Sequence, residues 1–160
     1  MATQSEMERF YSHVLVGPES DDCWFWVGAI GDDGYGRFWI RRDGAQRAVR
    51  PHRYLYEQQV GPLARTDLLM HSCDVPLCVH VDADPALTHL TPGTHATNMQ
   101  DRAFKGRGGN ASTTTGMRGI SRKALATRSR ALRALLLEQG WQRDAISAAL
   151  ADLLDHPTLF

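Results

Sequence analysis

The stretch HSCDVPLCVHVDADPALTHLTPGTHATN, residues 71–98, gathers two of the three cysteines, four of the seven histidines and an asparagine. Thiols and imidazoles at this density constrain a small fold, because one shared metal ion ties distant points of the backbone together. Three cysteines is an odd number, and Cys73 and Cys78 form a C-x4-C pair beside histidines. That favours thiols or metal ligands in a reducing compartment over a disulfide framework. Thiolates select zinc over magnesium. Cys23 with either His89 or His80 would complete a tetrahedral site of three cysteines and one histidine, a structural Zn²⁺ that staples a loop too polar to pack by itself. The competing reading is three reduced, buried cysteines.

Length and composition bound the rest. A chain of 160 residues with 42% hydrophobic content makes one modest domain, or a domain with an appendage. No apolar run approaches the roughly 18 residues of a membrane helix. The N-terminal MATQSEMERF has neither a basic start nor an apolar stretch, so the expected location is the cytoplasm. The formal net charge of zero conceals an asymmetry. Residues 1–100 carry eight arginines and no lysine against thirteen acids, whereas residues 101–133 carry nine basic residues against Asp101 alone. A basic block of that kind is either a solvated tail or an arm for a polyanion.

Local signals give a coarse order of elements. A short leading helix over residues 1–20, with Met7, Phe10, Tyr11 and Val14 on its apolar side, ends at Gly17-Pro18. Aromatic and β-branched runs flank Asp32-Asp33-Gly34, a hairpin signal, and a second turn at Arg42-Asp43-Gly44 leads into a strand through Val49. Trp24, Trp26, Phe38 and Trp39 read as core. Pro51 opens a helix that Gly61 stops, with His52, Leu55 and Tyr56 on one face. DLLMHSC predicts a strand ending at His71, then a polar, proline-containing excursion, then a second strand in LTHLTPG. Thr94 caps a helix carrying Asn98, and His95 at its start faces solvent. Residues 106–120 form a Gly/Ser/Thr-rich, basic linker. Ser121 caps a helix with Leu125, Leu132, Leu135 and Leu136 on one stripe. Gly140 ends it, and a second helix presents Ile146, Ala149, Leu150, Leu153 and Leu154.

The segment HRYLYE…GPL…LLMHSCDVPLCVH…THLTPGTHATNMQDRAFKGR resembles the HNH endonucleases of the ββα-metal (His-Me finger) group, more specifically phage and bacterial homing-type members that carry a C-W-x-W start. The resemblance covers roughly residues 22–107. It implies an α+β fold centred on a ββα-metal finger, with an N-terminal hairpin and helix elaboration and a C-terminal helical hairpin. It also implies catalytic roles for His71, His89 and Asn98, with His71 as the general base and Asn98 as a ligand of the catalytic Mg²⁺ or Mn²⁺. Many members place Asp just before the base, as a second metal ligand. Met70 stands there instead, so His52 becomes the leading substitute, with His95 and Asp74 behind it. The loop also departs from the family's C-V-N-P-x-H-L, with His80 in place of the asparagine and a longer stretch before His89.

The expected organisation is therefore a nuclease domain over residues 1–105, a linker over 106–120 and a helical hairpin over 121–160, a candidate helix–turn–helix extension or a hairpin docked on the domain. The expected function is metal-dependent hydrolysis of double-stranded DNA. Metal ligands are drawn from His52, Asn98, Cys23, Cys73, Cys78 and His89, and backbone phosphates are held by Arg102, Lys105, Arg107, Arg118, Arg122 and Lys123. Double-strand breaks would require a homodimer or two sequential cuts. The rival expectation is a zinc-stabilised DNA-binding protein that keeps the fold without catalysis.

Overall fold

The computed structural model describes residues 2–104 and 121–155. Among them the order is α1 (Gln4–Tyr11), β1 (Val14–Leu15), β2 (Phe25–Trp26), β3 (Ala29–Ile30), β4 (Gly36–Arg42), β5 (Ala45–Val49), α2 (Pro51–Gln59), β6 (Leu68–His71), β7 (Leu90–Gly93), α3 (His95–Phe104), α4 (Arg122–Gln139) and α5 (Arg143–Asp155). The chain is thus α+β, with three small antiparallel sheets: β1-β2, β3-β4-β5 and β6-β7. No described helix is long and apolar enough to cross a membrane. The linker at 106–120 and the residues Lys105, Arg107 and Arg118 lie outside the described residues.

The turn chemistry works as the sequence predicts. Asp43 and Gly44 take φ of 53° and 77°, the left-handed pair that lets a two-residue turn match strand twist, and β4 pairs with β5 from Arg42↔Ala45 to Phe38↔Val49. Gly34 (φ 80°) turns β3 into β4. The leading helix is shorter than expected. It closes at Tyr11, and Val14 instead pairs with Trp26 as a strand residue. Val14 is β-branched and stiff at χ1, so the local preference already leans toward extended backbone.

Two apolar clusters share β2, because successive strand residues point to opposite faces. Trp26 joins Phe10, Phe38, Tyr54, Leu55 and Leu90 in the first, and Phe25 joins Leu77, Cys78, Leu132, Leu136 and Ile146 in the second. Phe10 is fully buried among the rings of Trp26, Phe38 and Tyr54, at centroid distances of 5.3, 5.2 and 5.1 Å. Burying such a side chain contributes about 1.5–3 kcal/mol, which anchors an eight-residue helix that could not persist alone. The excursion after His71 is only half polar, contrary to expectation. Val75, Leu77, Cys78, Val79, His80 and Val81 are all buried, and the segment adds backbone hydrogen bonds to β2, Trp26 N–H to Leu77 O (2.8 Å) and Val79 N–H to Trp24 O (2.8 Å). Only the part from Asp82 to Thr88 stays outside the core.

The two C-terminal helices dock their predicted apolar stripe on the body. Ser121 Oγ accepts from the Ala124 amide as an N-cap, and Gly140 closes α4 with φ 72°. Leu132, Leu136 and Ile146 are buried in the second cluster. Polar ties join them: Arg133 donates to Val27 O (2.7 Å), Trp141 Nε1 donates to Cys23 O (3.1 Å), and Arg143 pairs with the buried Asp22 at 2.9 Å.

On the opposite flank, Glu6 of α1 accepts both Arg42 guanidinium nitrogens at 2.7 Å and the Tyr54 hydroxyl at 2.7 Å. The Arg42 fork, more than any other neighbour, holds the Glu6 carboxyl down to about 2. A carboxyl depressed in the folded state stabilises above its unfolded value near 4.5, and that stabilisation is lost as pH falls from there through about 2. Glu6→Gln is expected to lower stability at pH 7 by about 2–3 kcal/mol and to flatten the acid limb between roughly pH 4.5 and 2. Urea denaturation at several pH values reads both effects.

Candidate functional site

Four side chains converge where β2, the excursion and the start of β7 meet. Cys23, Cys73 and Cys78 Sγ and a nitrogen of His89 all lie within 4.8 Å of one another. His89 Nδ1 is 3.5 Å from Cys23 Sγ and 3.4 Å from Cys78 Sγ. A tetrahedral zinc with Zn–S about 2.3 Å and Zn–N about 2.0 Å requires S···N edges of about 3.5 Å, so the donor set fits such an ion in kind and spacing. The backbone explains the convergence. The Phe25↔Cys78 bridge brings Cys78 beside the residues that follow Cys23, and the Ser72 N–H donates to His89 O (2.9 Å), holding Cys73 near His89.

The electrostatics of the cluster without an ion are those of one thiolate shared among neighbours. Cys73 is held far below the usual thiol range, chiefly because the Cys23 and Cys78 thiols donate to it. Cys23 is pushed up, first by its hydrogen bond to Cys73, and Cys78 is pushed well up, first by burial. The Cys73 thiolate in turn raises His89. Three thiolates this close would need a cation beside them, and the cluster could hold a thiophilic divalent metal such as zinc.

The sequence left His80 and His89 open as the fourth ligand, and the geometry separates them. His80 stacks flat on Trp24 (4.5 Å, 8°), and its Nδ1 donates to Asp22 O (2.6 Å), with burial holding the ring neutral. His80 is therefore a core residue, and Trp24 is its partner.

His71 ends β6, as expected, and is not among the clustered thiols and His89. Its Nε2 is 3.0 Å from Cys78 O. A carbonyl only accepts, so Nε2 carries the proton and Nδ1 keeps a lone pair. Burial is the first cause lowering the His71 pKa, so the neutral form is favoured. His52 meets the His71 ring edge-on at 4.9 Å, and Tyr35 lies 5.6 Å from His52 and 6.3 Å from His71. His52 is buried, which lowers its pKa well below the usual value. Asp74, in the left-handed region with φ 61°, contributes to the field at both His71 and Tyr35.

Asn98 sits in the first turn of α3, whose start is capped as predicted: Thr94 Oγ1 accepts from the Thr97 amide (3.2 Å). β6 pairs with β7 through Met70↔Thr91 and His71↔Leu90. A Cβ at Gly93 would fall 2.7 Å from the Met70 methyl and 2.8 Å from Thr97 Oγ1, so glycine is what lets α3 approach β6 this closely. Met70 precedes His71, at the Leu90 end of the ladder, and Thr97 precedes Asn98 in the helix that leaves its other end after Gly93. Asn98 is half-buried and His95 exposed. Among the described residues the Asn98 carboxamide has no hydrogen-bond partner.

Of the basic residues singled out, Arg102 falls on α3, and Arg122 and Lys123 are exposed at the start of α4. A cleft of about 360 Å³ opens between Cys23, Cys73 and His89 on one side and Trp141, Arg143 and Ile146 on the other. Its walls include neither His71 nor Asn98, so it belongs to the thiol cluster. Two features escaped sequence reasoning. One is Tyr35, whose place beside His71 has no local signal. The other is Trp39, expected in the core but 50% exposed. Alternation along β4 could have flagged it, since Phe38 and Ile40 on either side are buried.

Comparison with known proteins gives two relatives from Escherichia phage T7. The chain is 38% identical over 87 residues to "Protein 7.7", covering 54% of this chain and 59% of that protein. It is 35% identical over 100 residues to "Protein 2.8", covering 62% of this chain and 61% of that protein. The chain thus spans about three fifths of the length of these relatives, and neither name states an activity. No family model matches and no solved structure matches.

Purified protein is expected to carry one zinc per chain by elemental analysis. Cys78→Ser and His89→Ala should each lose it with a large drop in melting temperature, while His80→Gln should keep it. Retention of full zinc by the Cys78 variant would rule out the four-ligand assignment.

Proposed function

We propose that this chain is a metal-dependent DNA endonuclease of the ββα-metal type. The observation that carries the reading is the state of His71, a neutral imidazole whose Nε2–H is tied to the Cys78 carbonyl at 3.0 Å. That hydrogen bond fixes the tautomer and presents Nδ1 as the proton acceptor, the arrangement a general base needs. In this reading Nδ1 takes a proton from water as the water oxygen attacks phosphorus and the P–O3′ bond breaks opposite it. The products are a 5′-phosphate and a 3′-hydroxyl.

A bound Mg²⁺ or Mn²⁺ would neutralise charge on the scissile phosphate and the leaving oxygen. Asn98 offers its side-chain oxygen for that ion, and His52, neutral and in ring contact with His71, is the second ligand proposed in place of the missing aspartate. His89, whose Nδ1 lies beside two thiols, serves the structural site and so supports the reacting groups indirectly, by fixing the backbone around Cys78 and His71. Double-stranded DNA is the proposed substrate.

One observation favours a second reading. Met70 packs its thioether against Gly93 and Thr97, where a hard-metal ligand would otherwise stand. On that reading the protein keeps the zinc-stabilised fold and binds DNA without cutting it.

Supercoiled plasmid incubated with Mg²⁺, Mn²⁺ or EDTA separates the two. The nuclease reading expects metal-dependent nicked or linear product, reduced at least about 100-fold in His71→Ala of unchanged zinc content. Zinc-loaded wild type that binds the plasmid but leaves it supercoiled with every metal would favour the second reading.

A further inference from the structure

We propose that the outer face of the β4-β5 hairpin is a binding surface for a single-stranded segment of DNA leading to the His71 site; the inference rests on the nuclease reading for the kind of nucleic acid. Along β4 the alternation sends Phe38 and Ile40 into the core and turns Arg37, Trp39 and Arg41 outward. Trp39 is the one described tryptophan left exposed, while Trp24, Trp26 and Trp141 are buried or half-buried. Its cross-strand partner is Ala48, too small to cover an indole, and Arg41 stands opposite Gln46. The ring is therefore left wet on a flat, rigid surface, held from behind by the Arg9 guanidinium donating to Trp39 O (2.7 Å).

The charge on this face is positive. Arg37 and Arg50 share one carboxylate, Asp33, at 2.9 Å each, and Arg41 makes no ion pair among the described residues. An indole between guanidiniums is the composition of a stacking platform for unpaired bases, where the aromatic ring takes the base and the cations take the phosphates. A paired base has its face already stacked within the duplex, so an exposed ring of this kind favours a strand that is locally open.

The surface is continuous with the candidate active site. Arg50 places its guanidinium 4.5 Å above the Tyr35 ring, and Tyr35 neighbours both His52 and His71. Trp39 lies four residues from Tyr35 along an extended strand, about 13 Å. A base on Trp39 and a phosphate at Arg50 would thus leave the next stretch of backbone at His71.

The test titrates wild-type full-length protein, without added Mg²⁺ or Mn²⁺, with a single-stranded DNA oligonucleotide, a duplex of equal length and an RNA of the same sequence. Single-stranded DNA should quench tryptophan emission, and Trp39→Phe should remove most of that quenching. Trp39→Ala should weaken single-strand binding about tenfold, and Arg41→Ala should reduce the salt slope by about 0.7. Both side chains are exposed, so an unchanged melting temperature certifies the fold. Unchanged single-strand affinity and quenching in the Trp39 variants would overturn the proposal, as would tighter binding to RNA or to duplex alone. Plasmid cleavage is read separately: its loss with Trp39 quenching intact overturns the nuclease reading alone, and its persistence without quenching overturns this inference alone.

Discussion

Two backbone hydrogen bonds, Trp26 N–H to Leu77 O and Val79 N–H to Trp24 O, hold the segment after β6 against β2, and most of the molecule depends on that pairing. It aligns Cys78 with the neighbours of Cys23, so the thiols meet. It places the Cys78 carbonyl where His71 can donate to it. It also lets Val79 and Val81 enter one core while Leu77 and Cys78 enter the other. Backbone groups buried at this seam must be paired, so the register is strongly specified.

The division of labour among the histidines follows from position relative to that seam. His89 faces the thiols, and its pKa is raised by the Cys73 thiolate. His71, ending the preceding strand, meets a carbonyl and is lowered by burial. His80 is in the core against Trp24, and His52 contributes its edge to the ring of His71. Of four imidazoles with the same intrinsic acidity, burial lowers His52, His71 and His80, while the Cys73 thiolate raises His89. A zinc ion at the thiols would lock the seam, linking metal occupancy to the orientation of His71 without placing that metal in the chemistry.

The C-terminal hairpin adds a third layer to the same seam. Trp141 donates to the carbonyl of Cys23, a member of the thiol cluster, and Arg143 satisfies the buried Asp22 one residue earlier. Leu132, Leu136 and Ile146 of α4 and α5 are thereby spent on the body of the protein. DNA contacts by this element would have to come from its exposed residues, of which Arg122 and Lys123 lie at the start of α4.

The sequence by itself determined the elements whose signals are local. Asp43-Gly44 specified a tight hairpin because few residues adopt positive φ cheaply, Pro51 opened α2, and Thr94 and Ser121 capped α3 and α4. It also determined that Cys23, Cys73 and Cys78 with a histidine could form one cluster, since thiol chemistry limits the partners. Which histidine joined was a tertiary decision: His80 lies within the excursion and His89 at its end, and only the seam with β2 turns one inward to Trp24 and the other to sulfur. Tyr35 beside His71 and Met70 against Gly93 were likewise invisible, because each depends on contacts between separate elements, whereas the outward face of Trp39 was legible in the alternation along β4. Burial and neighbours set those outcomes, and neither is a property of a residue's type.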